Sequence, residues 1–436
     1  MDLERLIAQA PAFASRFEYR ALLGQGAMGA VFRARDAQRD CDVAIKVALH
    51  EEGGREQGDA GLRKLWLNEM RLAGKLRHPH VVELYEAGDA GAFSYLVMEC
   101  VDGGSLRQHV MPTSLLPVDK AIDAVFKVAR ALEYANMQGL LHRDVKPANV
   151  LLDSAGQPKV SDFGSSFATE SEVTQVLAVG TLPFVPPEQL AGGPPDIQSD
   201  IYATGVMAYQ LLSGALPYDA TSQGSLVYQK MNMDPVALAA RRADLPPQLA
   251  AAIDRSIHRD RAQRYPAWAP FCDELSRLMP SLNARLEVIP ESERYEQLKS
   301  LRFFAPFGEA ELWEAARICG ARRVHAGDTI FREGSPGASV HVLCSGLLEV
   351  ARKGVKLGRI EAGDCFGELA FVEAPHHIRS ATVTALEDAT FVEFEAEAVG
   401  HASARLQAAL SRAIMGVLVA RLHRADARYL DRVLRR

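Results

Sequence analysis

Long apolar runs are missing from this sequence. No stretch reaches the 18 or so apolar residues that a spanning helix requires. The longest candidate, ATGVMAYQLLSGALPY, is shorter, carries Gln210 and Ser213, and reads as a buried core helix. The opening MDLERLIAQA has charges where a secretory signal needs an apolar centre, so none is expected. Paired cysteines are lacking as well. The six, at 41, 100, 272, 319, 344 and 365, contain no C-x-x-C. That spacing argues against a disulfide framework or a zinc site and predicts a reducing, cytoplasmic compartment. Nor is there a positive excess: 49 Lys and Arg face 55 Asp and Glu, a net charge of −6. That balance argues against a protein built to coat nucleic acid.

What is present is ordinary globular material, 48% hydrophobic and 24% charged. Its 436 residues predict two or three domains. After a lead-in over 1–16, expected to be helical, FEYRALLGQGAMGAVFRARD and DVAIKVAL alternate apolar and polar around glycines and predict a hairpin-rich sheet. LRKLWLNEMRLAGKLR has helical spacing, VVELYEAG and FSYLVMEC return to strand, and residues from about 104 to 290 turn mostly helical. Strands followed by helices predict an α+β unit of two lobes. SLNARLEVIPESERYEQLKS fits a linker or connecting helix. From Arg323 to Phe394 short strands recur between turn signals such as REGSPGAS and EAGD, the pattern of a small β-barrel or sandwich. The chain then reverts to helix, with Leu406, Leu410, Ile414, Val417 and Leu422 on one face.

The first half carries phosphate chemistry. GQGAMGAV spaces Gly24, Gly26 and Gly29 between two strands, where backbone N–H groups can approach phosphate oxygens without a Cβ in the way. A dinucleotide fingerprint needs a helix straight after the glycines; VFRAR continues as strand instead. VAIKV buries Lys46 between valines, which is costly without an anionic partner. Glu69 on the following helix can supply one and a nucleotide phosphate another. HRDVKPANVLL gathers Asp144, Lys146 and Asn149 on a tight loop, and SDFG adds Asp162. An acid can take a hydroxyl proton, a lysine can neutralise a phosphoryl oxygen, and an amide oxygen and a second acid can ligate Mg²⁺.

In this order and spacing these motifs resemble the Hanks-type (eukaryotic-like) protein kinase set over residues 17–278. The resemblance implies a β-rich first lobe and a helical second lobe. It implies that Gly24, Gly26 and Gly29 cover the ATP phosphates, that Val31 and Ala44 sandwich the adenine, and that Lys46, held by Glu69, contacts the α- and β-phosphates. The backbones of Glu99 and Val101 in MECV would bind the adenine edge. Asp144 would be the catalytic base, and Asn149 and Asp162 would hold Mg²⁺. PPE stands where the family usually reads APE, and its Glu188 would pair with Arg264; Asp200 would brace the catalytic loop. Lys146 two residues after the acid is the serine/threonine pattern. Arg143 before it implies a response to phosphorylation of the activation loop, where Thr169, Ser171, Thr174 and Thr181 are the candidate sites. Those hydroxyls permit trans-autophosphorylation in a homodimer without requiring it.

FGELAFVEAPHHIRSATV, residues 366 to 383, lies far downstream of these signatures. Arg379 needs an anion. Backbone amides around Gly367–Ala370 can face a phosphate if they open a short helix, Arg379 can grip it bidentately, and Glu368 can accept a sugar hydroxyl. Adjacent His376 and His377 point different ways, which argues against a metal. With FREGSPGAS upstream, the segment resembles a cyclic-nucleotide-binding domain, a β-roll with flanking helices over 296–425, after a linker at 279–295 and before a basic tail at 426–436. The resemblance implies that Glu368 takes the ribose 2′-hydroxyl and Arg379 the cyclic phosphate, with Gly367, Leu369, Ala370 and Ser380 completing the cassette. The interval from acid to arginine exceeds that of the regulatory subunits of cyclic-AMP-dependent kinase by the residues in EAPHHI. Ser380 leaves cyclic AMP and cyclic GMP both open. The remaining residues are too few for a helix-turn-helix after the roll, and the last helix is expected to pack on the roll or cap the nucleotide. The expectation is a Ser/Thr protein kinase acting on protein substrates and controlled in cis by cyclic nucleotide. The alternative is a roll without ligand that serves dimerisation or recruitment.

Overall fold

The computed structural model describes residues 10–26, 29–49, 74–90, 93–163, 181–282, 290–372 and 378–434. They fall into two compact units, Met1–Leu282 and Asn283–Arg436.

The first unit opens with five antiparallel strands: β1 (Phe17–Gly26), β2 (Gly29–Asp36), β3 (Cys41–Leu49), β4 (Leu84–Asp89) and β5 (Phe93–Glu99), in the order β1-β2-β3-β5-β4. Period-two alternation sorts their side chains. Phe32, Val43, Ile45 and Val47 are fully buried in one cluster, while Ala44 lies in a second cluster on the other face. The lead-in joins the first cluster: Phe13, in the short Pro11–Ala14 helix, packs its ring 5.3 Å from Phe93 and 4.9 Å from Tyr95. Arg16 fastens this entry by donating to both Asp36 and Glu86. Gly29 is obligatory where the sheet turns, because at φ +135° an added Cβ would stand 1.8 Å from the Val47 carbonyl oxygen. The helix expected over 62–77 falls largely on residues that are not described.

Helices dominate the rest of this unit. Val118–Met137 packs against Ile197–Ser213 and Trp268–Leu282. Ile197–Ser213 has a reciprocal capping box between Asp196 and Ser199 and ends at left-handed Gly214. It contains most of the apolar run singled out above, and its residues from Ser199 to Tyr209 are buried, as expected of a core helix. A two-stranded ribbon, β6 (Val150–Leu152) and β7 (Pro158–Val160), follows the loop that carries Asp144.

The second unit holds two four-stranded antiparallel sheets. Its strands are β8 (Gly320–Val324), β9 (Thr329–Phe331), β10 (Ser339–Ser345), β11 (Leu348–Arg352), β12 (Val355–Ile360), β13 (Cys365–Phe366), β14 (Thr382–Ala385) and β15 (Ala389–Glu395). The orders are β13-β10-β15-β8 and β12-β11-β14-β9. Leu343, Leu348, Phe366, Val383 and Phe391 fill the space between them. The expected linker is helical at both of its described ends. Trp268–Leu282 runs into it, and Glu291–Ser300 begins within it, because Tyr295 stacks on Trp313 at 4.0 Å. The last helix, Ala404–Leu434, also takes in most of the expected tail. Its apolar stripe divides. Leu406, Leu410 and Ile414 are buried, Val417 is half-buried, and Leu422 is 61% exposed.

Candidate functional site

In the first unit the loop before β6 is pinned from behind. Buried Asp200 accepts the backbone N–H groups of His142 and Arg143, both at 2.8 Å. Burial pushes the Asp200 carboxyl up, against the pull of His142 and of these two donors. The loop then presents Asp144. Lys146 Nζ donates to both carboxylate oxygens at 2.8 and 3.0 Å, and Asn149 Nδ2 donates to Oδ2 at 2.9 Å. Thr181 also joins this group: its Oγ1 donates to Asp144 Oδ1 at 3.2 Å and accepts from Lys146 at 2.9 Å. One acid thus sits within reach of an ammonium, an amide and a hydroxyl.

Lys46 and Asp162 meet across 116 positions of sequence, Nζ to Oδ1 at 2.5 Å. Burial would raise the Asp162 carboxyl, but Lys46 overrides it and the group is held below its usual range. Glu69, the partner expected for Lys46, lies outside the described residues, as do Thr169, Ser171 and Thr174. Gly24 and Gly26 end β1 and Gly29 begins β2. Val31, Ala44 and Val101 share an apolar cluster with Leu96, Met98 and Leu151. Sequence reading did not single out the last three, although they lay inside the quoted FSYLVMEC and HRDVKPANVLL. The Glu99 carboxylate is taken by Lys159 at 2.9 Å, while its backbone N–H donates to Glu83.

The donor set can be tested against the expected ion. No three His, Cys, Asp or Glu side chains gather around a metal position among the described residues. Mg²⁺ typically takes one or two protein oxygens and fills the remainder with phosphate and water. With Asn149 Nδ2 bonded to Asp144, the amide oxygen and the Asp162 carboxylate are oxygen donors of that kind. Further back, Glu188 binds Arg264 through both oxygens at 2.7 and 3.0 Å. Lys230, absent from the sequence reading, is fully buried and donates to the carbonyls of Leu182, Pro183 and Val185 just after Thr181. Burial pulls its ammonium down to about 7.

In the second unit a cavity of about 450 Å³ is lined by Gly367, Glu368, Leu369, Arg379, Ser380 and, from the terminal helix, Leu418 and Arg421. That size suits a small molecule. The short helix Glu368–Val372, which includes Ala370, opens on its wall. Arg379 is 4% exposed and firmly held. It donates to the Ser339 carbonyl at 2.7 Å, the Gly367 carbonyl at 3.1 Å and Ser339 Oγ at 2.8 Å, and it lies over the Phe331 ring at 4.3 Å. Burial lowers its basicity, while Glu393, Glu395 and Glu368 pull the other way. Ser339 passes the contact on to Glu393 at 2.9 Å, and His341 meets the same carboxylate oxygen at 3.1 Å. Gly367 (φ +75°) and Gly337 leave room for the guanidinium, since an added Cβ would stand 2.5 and 2.6 Å from it. Glu368 is bonded to Arg421. Ser339, Glu393 and Arg421 were not legible as site residues, because nothing local in the sequence ties them to Arg379 or Glu368. His376 and His377 lie outside the described residues.

Comparison with known proteins agrees with both units. The protein kinase domain model matches residues 17–274, and the chain belongs to that family. The cyclic nucleotide-binding domain model matches residues 321–405. The chain is 37% identical over 281 residues to serine/threonine-protein kinase PksC of Streptomyces coelicolor, covering 62% of this chain and 50% of that one. It is 34% identical over 275 residues to PknB of Mycobacterium leprae, covering 62% and 44%. It therefore spans half or less of the length of these relatives. The crystal structure of the Mycobacterium tuberculosis PknI kinase domain aligns with a TM-score of 0.48 at 29% identity, over 60% of this chain and 96% of that one.

Proposed function

We propose that the chain is an ATP-dependent serine/threonine protein kinase that phosphorylates proteins, itself included, under control in cis of cyclic AMP or cyclic GMP bound to its second unit. The cluster of Lys146, Asn149 and Thr181 around Asp144 carries the catalytic part of this reading. The substrate hydroxyl oxygen attacks the γ-phosphorus, the bond from that phosphorus to the ADP oxygen breaks, and Asp144 takes the hydroxyl proton. Lys146 offsets charge on the transferring group and Lys46 holds the nucleotide phosphates. The apolar cluster around Val31, Ala44 and Leu151 takes the adenine, with the backbones of Glu99 and Val101 at its edge. Asn149 and Asp162 would hold Mg²⁺, which would supply neutralisation of the phosphate charge. The Thr181 hydroxyl, already bonded at Asp144, is assigned to positioning, which leaves Thr169, Ser171 and Thr174 as the loop hydroxyls whose phosphate would answer to Arg143.

The cavity that carries Arg379, Ser380 and Glu368 supports the regulatory part. Arg379 supplies the cation for a cyclic phosphate and Glu368 the acceptor for a ribose hydroxyl. A cytoplasmic site of action fits the six free cysteines; no described helix is long and apolar enough to cross a membrane. The catalytic test is phosphate transfer from labelled ATP to a generic Ser/Thr substrate. Asp144→Asn should lower it by roughly a hundred- to ten-thousandfold, the range for a general base, with ATP binding kept. Transfer at the wild-type rate in that variant overturns the assignment. Titration with cyclic AMP and cyclic GMP tests the regulatory part: binding that Arg379→Ala abolishes upholds it, and absence of binding makes the roll a contact module.

A further inference from the structure

β10 alternates its side chains between two faces, so Ser339 and His341 share one of them. Glu393 of β15 stands opposite His341 in the pairing. Its Oε1 accepts from Ser339 Oγ at 2.9 Å and lies 3.1 Å from His341 Nε2. Ser339 Oγ in turn accepts from Arg379 Nη2 at 2.8 Å. Among the described residues Arg379 bonds to no carboxylate directly, and its link to Glu393 runs through that hydroxyl.

His341 is 2% exposed, and its ring stacks on Phe366 at 4.9 Å. Its Nδ1 has no hydrogen-bond partner among the described residues. That nitrogen faces the turn at Gly367, where an added Cβ would stand 3.1 Å from it and 2.5 Å from Arg379 Nη1. An imidazole bound at one nitrogen to a carboxylate and bare at the other can gain a proton without breaking a bond. Histidine is also the side chain whose ordinary charge change falls between about pH 5 and pH 8. The other charged groups around it are Glu393 and Arg379, Arg322 of β8 at 3.8 Å from Glu393, and Glu368, which is bonded to Arg421. Carboxylates and guanidiniums ordinarily titrate outside that window. Glu393 is held down to about 2, chiefly by the His341 hydrogen bond, and burial pushes the Cys365 thiol of β13 up to about 12. That leaves the imidazole as the proton acceptor.

We propose that His341 is a positioning residue that tunes the anion site of the second unit with pH: a proton taken up at Nδ1 adds positive charge behind Arg379, so an anionic ligand binds more tightly as pH falls. This rests on the cyclic-nucleotide reading given above and adds the proton to it as a second ligand. With the ring neutral, the charge of Glu393 offsets that of Arg379. With the ring protonated, one positive charge is left over. A cyclic phosphate stays singly negative throughout the window and favours the second state. Arg379 opposes the proton, and an anion set against the guanidinium relieves that opposition. By linkage, the bound anion raises the proton affinity of the ring as much as the proton raises the affinity for the anion. A plain structural hydrogen bond from His341 to Glu393 would stabilise the roll and leave binding indifferent to pH.

Dissociation constants of cyclic AMP and cyclic GMP for the full-length chain, measured from about pH 8 down to about pH 5, separate the two roles. Affinity in wild type should rise by roughly fivefold or more across that range. Calorimetry near its middle, in buffers of different ionisation enthalpy, should show net uptake of protons on binding. His341→Gln keeps a donor for Glu393 but cannot titrate; its affinity should not vary with pH, and the proton uptake should vanish. His376 and His377 lie close to Arg379 in sequence, so His376→Gln with His377→Gln is the control and should keep both effects. Should His341→Gln fail to fold, proton uptake by wild type and by that control still decides. Affinity independent of pH in wild type, binding without proton uptake, or a dependence that survives His341→Gln overturns the assignment of His341 alone. A wild type that binds neither nucleotide at any pH removes the cyclic-nucleotide reading itself, and this assignment with it.

Discussion

Two residues of the site in the first unit hold backbone angles that side chains seldom take, Arg143 at φ 65° and Asp162 at φ 63°. Such conformations cost roughly 1–3 kcal/mol each and persist where the surroundings over-determine them. For Arg143 the constraint is Asp200, which accepts its N–H and that of His142. Asp200→Ala leaves these two donors unpaired beneath the loop, at roughly 1–3 kcal/mol each. The turnover number should fall by about tenfold or more while ATP affinity changes little, as a split of kcat from the ATP dissociation constant would show. Residues of this kind were partly legible. Asp200, Glu188 and Arg264 follow from the kinase resemblance, and the structure gives each the contact expected of it. Glu393 was not legible. It is held down to about 2 by the His341 hydrogen bond, against burial and with help from Ser339 and Arg322. Its folded-state value lies below its ordinary 4.5. The stability it contributes is therefore present above about pH 4.5 and lost as pH falls from there toward about 2. Amide exchange in β10 and β15 should accelerate across that window, and Glu393→Gln should flatten the dependence. Unchanged acid sensitivity in that variant would mean that other carboxylates set it.

The strand elements were the most legible, because alternation and glycine placement write them locally. β2 and β3 pair in unbroken register from Ala30 opposite Val47 to Asp36 opposite Cys41. Gly29 stands where that pairing allows no Cβ. Gly29→Ala must push β2 off β3 or rotate the turn, at a cost of roughly 1–3 kcal/mol. It should lower the melting temperature and weaken ATP binding together; a variant that melts and binds as wild type would show that the turn has slack. The helices were less legible where tertiary contacts override the pattern. The stripe Leu406, Leu410, Ile414, Val417, Leu422 reads as one face, yet only its first three members are buried. A stripe reports that a helix can be covered, not how far the covering element extends. Lys230 misleads in the opposite sense. A lysine on a polar helix reads as solvated, but this one is fully buried and donates to three carbonyls contributed by Leu182–Val185. Lys230→Met strips those carbonyls of their donor and should loosen the segment that follows Thr181, seen as faster exchange there and lower activity on protein substrates.

For the whole molecule, domain order was plain in the sequence, since strand text and helical text alternate over long spans and each half carries its own motif set. The pairings that complete each site were not, because they join distant positions: Lys46 with Asp162, Thr181 with Asp144, Arg421 with Glu368. A cyclic nucleotide can alter the kinase only by binding its active and inactive arrangements unequally, and a tenfold change takes about 1.4 kcal/mol of such difference. The hydrogen bonds available at Arg379 and Glu368 are of sufficient size, since a bond to a charged group is worth roughly 1.5–3 kcal/mol. The most direct measurement is phosphorylation of a generic substrate and of the chain itself by the full-length protein, with and without saturating cyclic AMP or cyclic GMP, in wild type and Arg379→Ala. A rate that changes with one of the nucleotides in wild type and does not change in Arg379→Ala is the expected result. A rate indifferent to both nucleotides while one of them is bound, or a response that survives Arg379→Ala, would contradict it.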